Sequence, residues 1–334
     1  MVKLIGRYPW KPSSFLSPSI LPANPSPSRT PSGALPVRFR RTRLLIVGCG
    51  DVGLRAAGLL VQRVRVLAVT SSPDRTAELR SRGIVPLRGD LDDPASLRRL
   101  AGLGHRVLHL APPPGDGRSA DRHTDPRTRA LLRSLAAGPR PQAFVYGSTT
   151  GVYGDCGGAR VTETRAVNPR NARAFRRVDA ERQVRVFGRG SRAAILRIPG
   201  IYAPDREGGT PLARLLRGTP VLRPEDDVYT NHIHADDLAR ACCAALWRGA
   251  PQRIYHASDE TDMTMGDYMD HAADLYGLPK PQRVGRAEAP AHMSPMQMSF
   301  LNESRRLVNT RLHDDLRLVL RYPTIAEGLR ATGR

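Results

Sequence analysis

The sequence predicts an α/β fold: a parallel, doubly wound sheet with helices on both faces. Two observations lead to it. Apolar, strand-like runs alternate with amphipathic, helix-length segments from residue 43 to about residue 258. The first of those runs leads into three glycines at the spacing that opens a nucleotide-binding helix.

Each element can be justified in order. The run RLLIVGCGDVGLRAAGLL, from Arg43, places four apolar residues before Gly48, Gly50 and Gly53, then a helical pattern. In this G-x-G-x-x-G spacing Gly48 serves the tight turn, Gly50 lets backbone approach a pyrophosphate, and Gly53 allows close helix–strand packing. Helical N–H groups and the positive dipole end, opening at Asp51 and Val52, then face the phosphates. A second strand, VRVLAVT, ends at Thr70. Further strands are predicted at 84–87, 106–111, 143–147 and 193–198, with helices at Pro73–Arg82, Pro94–Gly102, Asp125–Ala137 and Asn171–Gly188. Pro73 and Pro94 suit first-turn positions. This alternation defines a Rossmann-type domain, whose ligands bind at the carboxyl ends of the strands.

Composition bounds the function. The 334 residues suffice for about two domains, and 40% hydrophobic with 25% charged residues suits a globular chain. No apolar run reaches the roughly 18 residues of a membrane span. Cys49, Cys156, Cys242 and Cys243 contain no CxxC pair, so a reducing, cytoplasmic location is expected. Basic residues number 52 against 31 acids, a net charge of +21. Only Lys3, Lys11 and Lys280 are lysines, leaving 49 scattered arginines without an aromatic-interleaved basic motif. A basic surface is therefore expected, without a specific nucleic-acid partner. Residues 1–42, rich in Pro, Ser and Arg and free of acids, read as a disordered tail.

The end of the second strand bears on the cofactor. An acid there would bond the ribose 2′-hydroxyl of NAD. The sequence instead offers Thr70 and Ser71, with Arg75 nearby, which favours NADP over NAD. Asp90 and Leu91, after the third strand, are expected beside the adenine, and Leu110 and Ala111, at the end of the fourth strand, along the cofactor.

Three further segments, GSTTGVYGD (147–155), LRIPGIYAPDR (196–206) and NHIHADDLARA (231–241), resemble the extended, atypical short-chain dehydrogenase/reductases, the NAD(P)-dependent epimerase/dehydratase group. The C-terminal SRRLVNTRL and RYPTIAEGL are similar to its YeeZ-type branch. The resemblance covers residues 43–330. It implies a Rossmann domain from 43–200 plus 231–258 and a small C-terminal substrate lobe from 201–230 plus 259–330. It is compatible with a homodimer through helices of the Rossmann domain.

In that family a Ser or Thr after the fifth strand acts with a Tyr-x-x-x-Lys pair on the next helix. The tyrosine moves the proton while hydride passes between nicotinamide and a carbinol or carbonyl carbon, and the lysine holds the ribose and lowers the tyrosine pKa. Here Thr149 matches the hydroxyl residue, with Ser148 beside it. The pair is replaced: counting back from Glu181 puts Arg177 at the lysine position and Arg173 at the tyrosine position. Arginine stays protonated and donates no proton. Arg173, Arg177 and Glu181 share a helical face, which also reads as a solvated, ion-paired surface. Tyr153, His109 and Tyr202 are the alternative acids, though Tyr153 is more often a packing residue of the VYG turn and His109 more often a buried, satisfied histidine.

Asn231, His232, His234, Asp236 and Asp237 read as an element under the substrate, with an aspartate capping the next helix, rather than as a metal site; no metal is expected. Cys242 and Cys243 read as core. Six of the seven methionines lie between Met263 and Met298, as core filler or as lining for an adaptable apolar ligand. The function these readings support is an NAD(P)-dependent oxidoreductase or epimerase-like protein acting on a small carbonyl, alcohol or nucleotide-sugar-like substrate. Its catalytic candidates are Thr149, Tyr153 and Arg177. The alternative is an inactive NADP(H) sensor.

Overall fold

A computed structural model describes residues 41–115, 121 and 123–330. The expected disordered tail, residues 1–42, lies outside them save for its last two residues.

The central sheet consists of β1 (Arg43–Val47), β2 (Arg65–Thr70), β3 (Val85–Arg88), β4 (Arg106–His109), β5 (Ala143–Thr149), β6 (Arg192–Ile198) and β7 (Arg253–His256). Their spatial order is β7-β6-β5-β4-β1-β2-β3, and every neighbouring pair is parallel. The chain winds outward from β1 to β3, then returns to β4 on the other side of β1. That reversal opens a crevice at the carboxyl end of β1.

Sequence explains the layering. β1 is continuously apolar because it is covered on both faces. Leu44 and Ile46 enter one buried cluster, with Leu238 and Cys242. Leu45 and Val47 enter the opposite one, with Phe144 and Leu131. The helices covering these faces include α1 (Asp51–Gly58), α2 (Arg75–Ser81), α3 (Pro126–Ala136), α4 (Ala172–Phe187) and α5 (Ala235–Arg248). Asp125 caps α3 by accepting from the N–H groups of Arg127 and Thr128, with Pro126 in the first turn. Asn171 caps α4 through the Ala174 N–H at 2.9 Å.

Local details depart from expectation. Residues 94–100 form a 3₁₀ helix rather than an α-helix, capped by Asp93. Pro73 precedes the cap residue of α2, Asp74, instead of entering its first turn. The cap of α5 is His234, whose ring accepts from Asp236 N–H, and not an aspartate. Asp237 is fully buried and accepts from the N–H groups of Arg321 and Tyr322, tying the C-terminal segment to α5.

Two further apolar clusters are built from later residues. One joins Tyr202, Leu215 and Val221 to Tyr268, Met269 and Leu329; the other joins Leu222 and Val228 to Val284, Met293 and Leu301. Met269 and Met293 are core filler, while Met265 reaches a cleft wall.

Candidate functional site

The crevice at the end of β1 is built around the glycines. Gly48 has φ +88°, and a Cβ there would lie 2.2 Å from the Ala111 backbone nitrogen, so only glycine permits β1 and the end of β4 to approach. A Cβ on Gly53 would lie 2.9 Å from the Gly48 carbonyl oxygen. Gly50 has open space around it, with nothing within 4 Å of such a Cβ. The space beside the turn and packing glycines is thus taken up by protein, while the middle one faces open space.

This cleft, about 310 Å³, is walled by the glycine loop with Asp51 and Val52, by Leu110, by Gly147 to Thr149, and by Arg177, Ile198, Pro199 and Arg206. Asp51 accepts from Arg55 Nε at 2.9 Å and from Arg206 Nη1 at 2.8 Å. Arg55 also donates to Asp205 and Asp236, at 2.7 and 2.6 Å. One guanidinium therefore joins the first turn of α1, the loop after β6 and the start of α5. It holds the Asp205 carboxyl below its ordinary pKa.

A second cleft, about 550 Å³, adjoins the first and shares Thr149, Arg177 and Pro199 with it. Its walls carry Arg173, Arg214 and Arg305 against one carboxylate, Glu303, which Arg305 Nη1 meets at 2.9 Å. Arg214 Nε is buried without a hydrogen-bond partner. Burial, then the Arg217 charge, lowers the Arg214 pKa. His232 beside it is buried, with Nδ1 unpartnered, and burial followed by Arg214 pushes its pKa down to about 4, so its ring is neutral. The cleft is basic.

At the junction, Thr149 Oγ1 accepts from Gly151 N–H at 3.3 Å, leaving its hydroxyl proton free to donate. Arg177 Nη1 donates to the Gly147 carbonyl at 2.6 Å and the Tyr146 hydroxyl at 3.1 Å. The face bearing Arg173, Arg177 and Glu181 is not a surface ladder. Glu181 turns inward and pairs with Arg197, both nearly fully buried.

Tyr153 requires correction as an acid candidate. Its side chain is 1% exposed and lines neither cleft. Its hydroxyl meets His256 Nε2 at 2.5 Å and accepts from Arg197 Nη1 at 2.7 Å. His256 Nδ1 faces the Val308 carbonyl at 2.8 Å and must donate to it. Burial lowers the His256 pKa to about 3, so the ring is neutral and Nε2 accepts the tyrosine proton. The Tyr153 proton is committed inside the protein. His109 is likewise buried, bonded to Thr128, and its pKa is lowered to about 3 by burial. Tyr202 is buried and donates to the Thr324 carbonyl.

Of the sequence-predicted residues, Gly48, Gly50, Asp51, Val52, Gly53, Leu110, Thr149 and Arg177 line the first cleft. Thr70, Ser71, Arg75, Asp90, Leu91 and Ala111 do not. Thr70 Oγ1 bonds the Ser72 carbonyl, and Arg75 donates to the Cys49 carbonyl and to Glu78. The Asp90 carboxylate accepts from Asp92 N–H in a turn, and Ala111 packs under Gly48. Sequence reading missed Arg206, Arg214 and Arg305 as cleft residues, although 206 and 305 fall within the motif segments, whereas His232 belongs to the stretch expected under the substrate and lines the basic cleft. Among the described residues no cluster of His, Cys, Asp and Glu has the geometry of a metal site, and no helix is long and apolar enough to cross a membrane.

A parallel sheet wound in this order, with a glycine turn at its reversal point, defines the class of Rossmann-type dinucleotide-binding folds. Residues 45–257 match the NAD dependent epimerase/dehydratase family, and the chain belongs to that family. It is similar to a solved structure of a functionally unknown conserved protein from Silicibacter pomeroyi DSS, with 30% identity, coverage of 86% of this chain and 96% of that one, and a TM-score of 0.73. It shares its fold with UDP-glucose 4-epimerase from Thermotoga maritima, solved with UDP-glucose, at 19% identity, 86% and 96% coverage and a TM-score of 0.70. The same holds for dTDP-glucose 4,6-dehydratase from Streptomyces venezuelae, solved with NAD, at 21% identity, 86% and 94% coverage and a TM-score of 0.68. No curated protein sequence matches this chain.

Proposed function

We propose that this protein is an NAD(P)-dependent oxidoreductase or epimerase-like enzyme acting on a small, anionic carbonyl or alcohol, with nucleotide-sugar-like molecules within that class. The observation that carries the reading is the sharing of Thr149 and Arg177 by the glycine-loop cleft and the basic cleft. A dinucleotide in one and a substrate in the other would meet at these two residues.

The open space beside Gly50 and the N–H groups opening α1 fit a pyrophosphate. Arg55 and Arg206 neutralise Asp51, removing a carboxylate charge that would repel it. The carboxylate-free end of β2, Thr70-Ser71-Ser72, supports NADP over NAD. When bound, the nicotinamide supplies hydride exchange. Thr149 donates a hydrogen bond from its hydroxyl to the substrate oxygen and keeps its proton, and Arg177, held by the Gly147 carbonyl, binds the ribose. Arg214 and Arg305 hold the substrate's anionic group. Tyr229, which lines the basic cleft, replaces Tyr153 as the proton donor. The small C-terminal lobe, 201–230 plus 259–330, supplies the far wall of that cleft. Four free cysteines support a reducing, cytoplasmic setting.

The test is NADPH and NADH titration by cofactor fluorescence, followed by absorbance at 340 nm with anionic aldehydes, ketones and nucleotide sugars. Turnover that falls at least a hundredfold in Thr149→Ala and Tyr229→Phe, and survives in Tyr153→Phe, supports the enzyme. The replacement of the Tyr and Lys pair by Arg173 and Arg177 favours one second reading, an inactive NADP(H) sensor. Tight NADPH binding without turnover across the panel would establish that reading instead, and no binding of either cofactor would overturn both.

A further inference from the structure

A third cavity, about 590 Å³, shares no wall residue with the other two clefts. It lies between α4, the loop 163–167, β6, β7 and Arg311. Six arginines and two glutamates line it.

The arginines fall into two tiers. Arg197, Arg253 and Arg311 each face a carboxylate: Glu181 at 2.7 Å, Asp315 at 2.9 Å and Glu163 at 3.6 Å. Both lining glutamates are thereby matched, and Glu163 also accepts from His256 N–H. The other tier is Arg165, Arg182 and Arg185, whose guanidinium groups have no carboxylate partner among the described residues. Arg182 and Arg185, three apart on α4, repel one another. Gln252 stands at the same wall in a left-handed conformation, φ 60°, uncommon outside glycine. Its side-chain amide donates to the Arg185 carbonyl at 3.1 Å, holding the end of α4 against the cavity.

We propose that this cavity binds a small phosphate-bearing anion carrying two or more negative charges, such as a diphosphate. Its paired wall leaves no carboxylate lone pair seeking a cation. Its three unpaired guanidinium forks match phosphate oxygens bidentately. A multivalent anion would relieve the repulsion along α4. The cavity opens to solvent, where its exposed arginines are reached, and its volume suits a small molecule rather than a duplex.

The experiment is calorimetric titration of the full chain with sodium pyrophosphate, and with citrate as a carboxylate of similar charge. Because the basic cleft beside Thr149 also attracts anions, the R182A/R185A variant is compared with Arg214→Ala. The expected result is pyrophosphate binding that weakens at least tenfold in R182A/R185A, weakens by a smaller factor in R182K/R185K, which keeps the charges but loses the forks, and persists in Arg214→Ala. Both arginines are exposed, and circular dichroism of R182A/R185A checks that the fold is retained. Unchanged affinity in R182A/R185A, loss only in Arg214→Ala, citrate binding as tightly as pyrophosphate, or no binding below millimolar concentration would each overturn the proposal. None of these readouts depends on dinucleotide binding or turnover.

Discussion

Ser148 donates to the Glu181 carboxylate at 2.6 Å, linking the end of β5 to the interior of α4. The same carboxylate accepts from Arg197 Nε at 3.1 Å and Nη2 at 2.7 Å. Arg197 continues to Tyr153, and Tyr153 to His256. One wall of the glycine-loop cleft, Ser148, is thus fixed by a buried ion pair whose other side faces the arginine-lined cavity.

Breaking that pair leaves a charge stranded in the interior. Glu181→Ala is expected to cost about 3–5 kcal/mol, because Arg197 then remains buried without its counter-charge. Ser148→Ala removes one bond to a charged acceptor and is expected to cost about 1.5–3 kcal/mol. Replacing both members, Glu181→Leu with Arg197→Met, is expected to recover most of the loss. Urea unfolding of the four proteins measures this. Equal stability of Glu181→Ala and wild type would mean that the pair is not buried as described.

The three loop glycines separate stability from binding. Gly48→Ala forces a Cβ onto the Ala111 backbone and a side chain onto φ +88°. It is expected to destabilise the protein by at least about 1–3 kcal/mol. Gly50→Ala meets nothing within 4 Å and is expected to leave thermal stability within about 0.5 kcal/mol of wild type while weakening dinucleotide binding at least tenfold. Thermal melts with and without NADPH check both. Loss of stability in Gly50→Ala would remove the argument that its space is kept for a ligand.

Tyr153→Phe distinguishes a structural from a chemical tyrosine. The change deprives His256 of its donor and Arg197 of an acceptor, both in the interior, and is expected to cost about 1–3 kcal/mol. Because the hydroxyl lies outside both clefts, turnover per folded molecule is expected to stay within twofold of wild type. Activity normalised to the folded fraction decides it, and a drop of a hundredfold would return Tyr153 to the chemistry.

The sheet was legible because its strands are buried on both faces and read as unbroken apolar runs, as in Leu44 to Val47. The glycine loop was legible because each glycine answers a backbone requirement that spacing alone reveals. Tyr153 misled because proximity to a strand end says nothing about which side of the turn a ring occupies; the partners that draw it inward, Arg197 and His256, are 44 and 103 residues away. Glu181 misled for a related reason. Its i, i+4 spacing from Arg177 predicts a surface pair, but a buried arginine on a neighbouring strand outcompetes it. Arg214 and Arg305 were illegible because the cleft they line is assembled from segments far apart in the chain, and 49 arginines hide the few that converge.

Asp259 makes stability fall as pH rises. Its side chain is buried with Oδ2 unpartnered, and burial first, aided by the charges of Asp237 and Glu260, pushes its pKa up to about 8. In the unfolded chain an aspartate releases its proton near pH 4. Between those values folding must take up a proton. The contribution of Asp259 is therefore fully present below about pH 4 and declines, by up to about 1.4 kcal/mol per pH unit, until about pH 8. Asp259→Asn removes this dependence while keeping an oxygen to accept from Thr261 N–H, the bond Asp259 makes at 3.1 Å. Its amide replaces a protonated oxygen that also lacked a partner, so the exchange is nearly neutral at low pH. Asp259→Asn is expected to match wild type near pH 4 and to exceed it by on the order of a few kcal/mol at pH 8, raising the melting temperature by several degrees. Thermal melts of both proteins at pH 4, 6 and 8 measure it. A variant less stable than wild type at pH 8 would mean that Asp259 is ionised in the fold, held by a cation that reaches it.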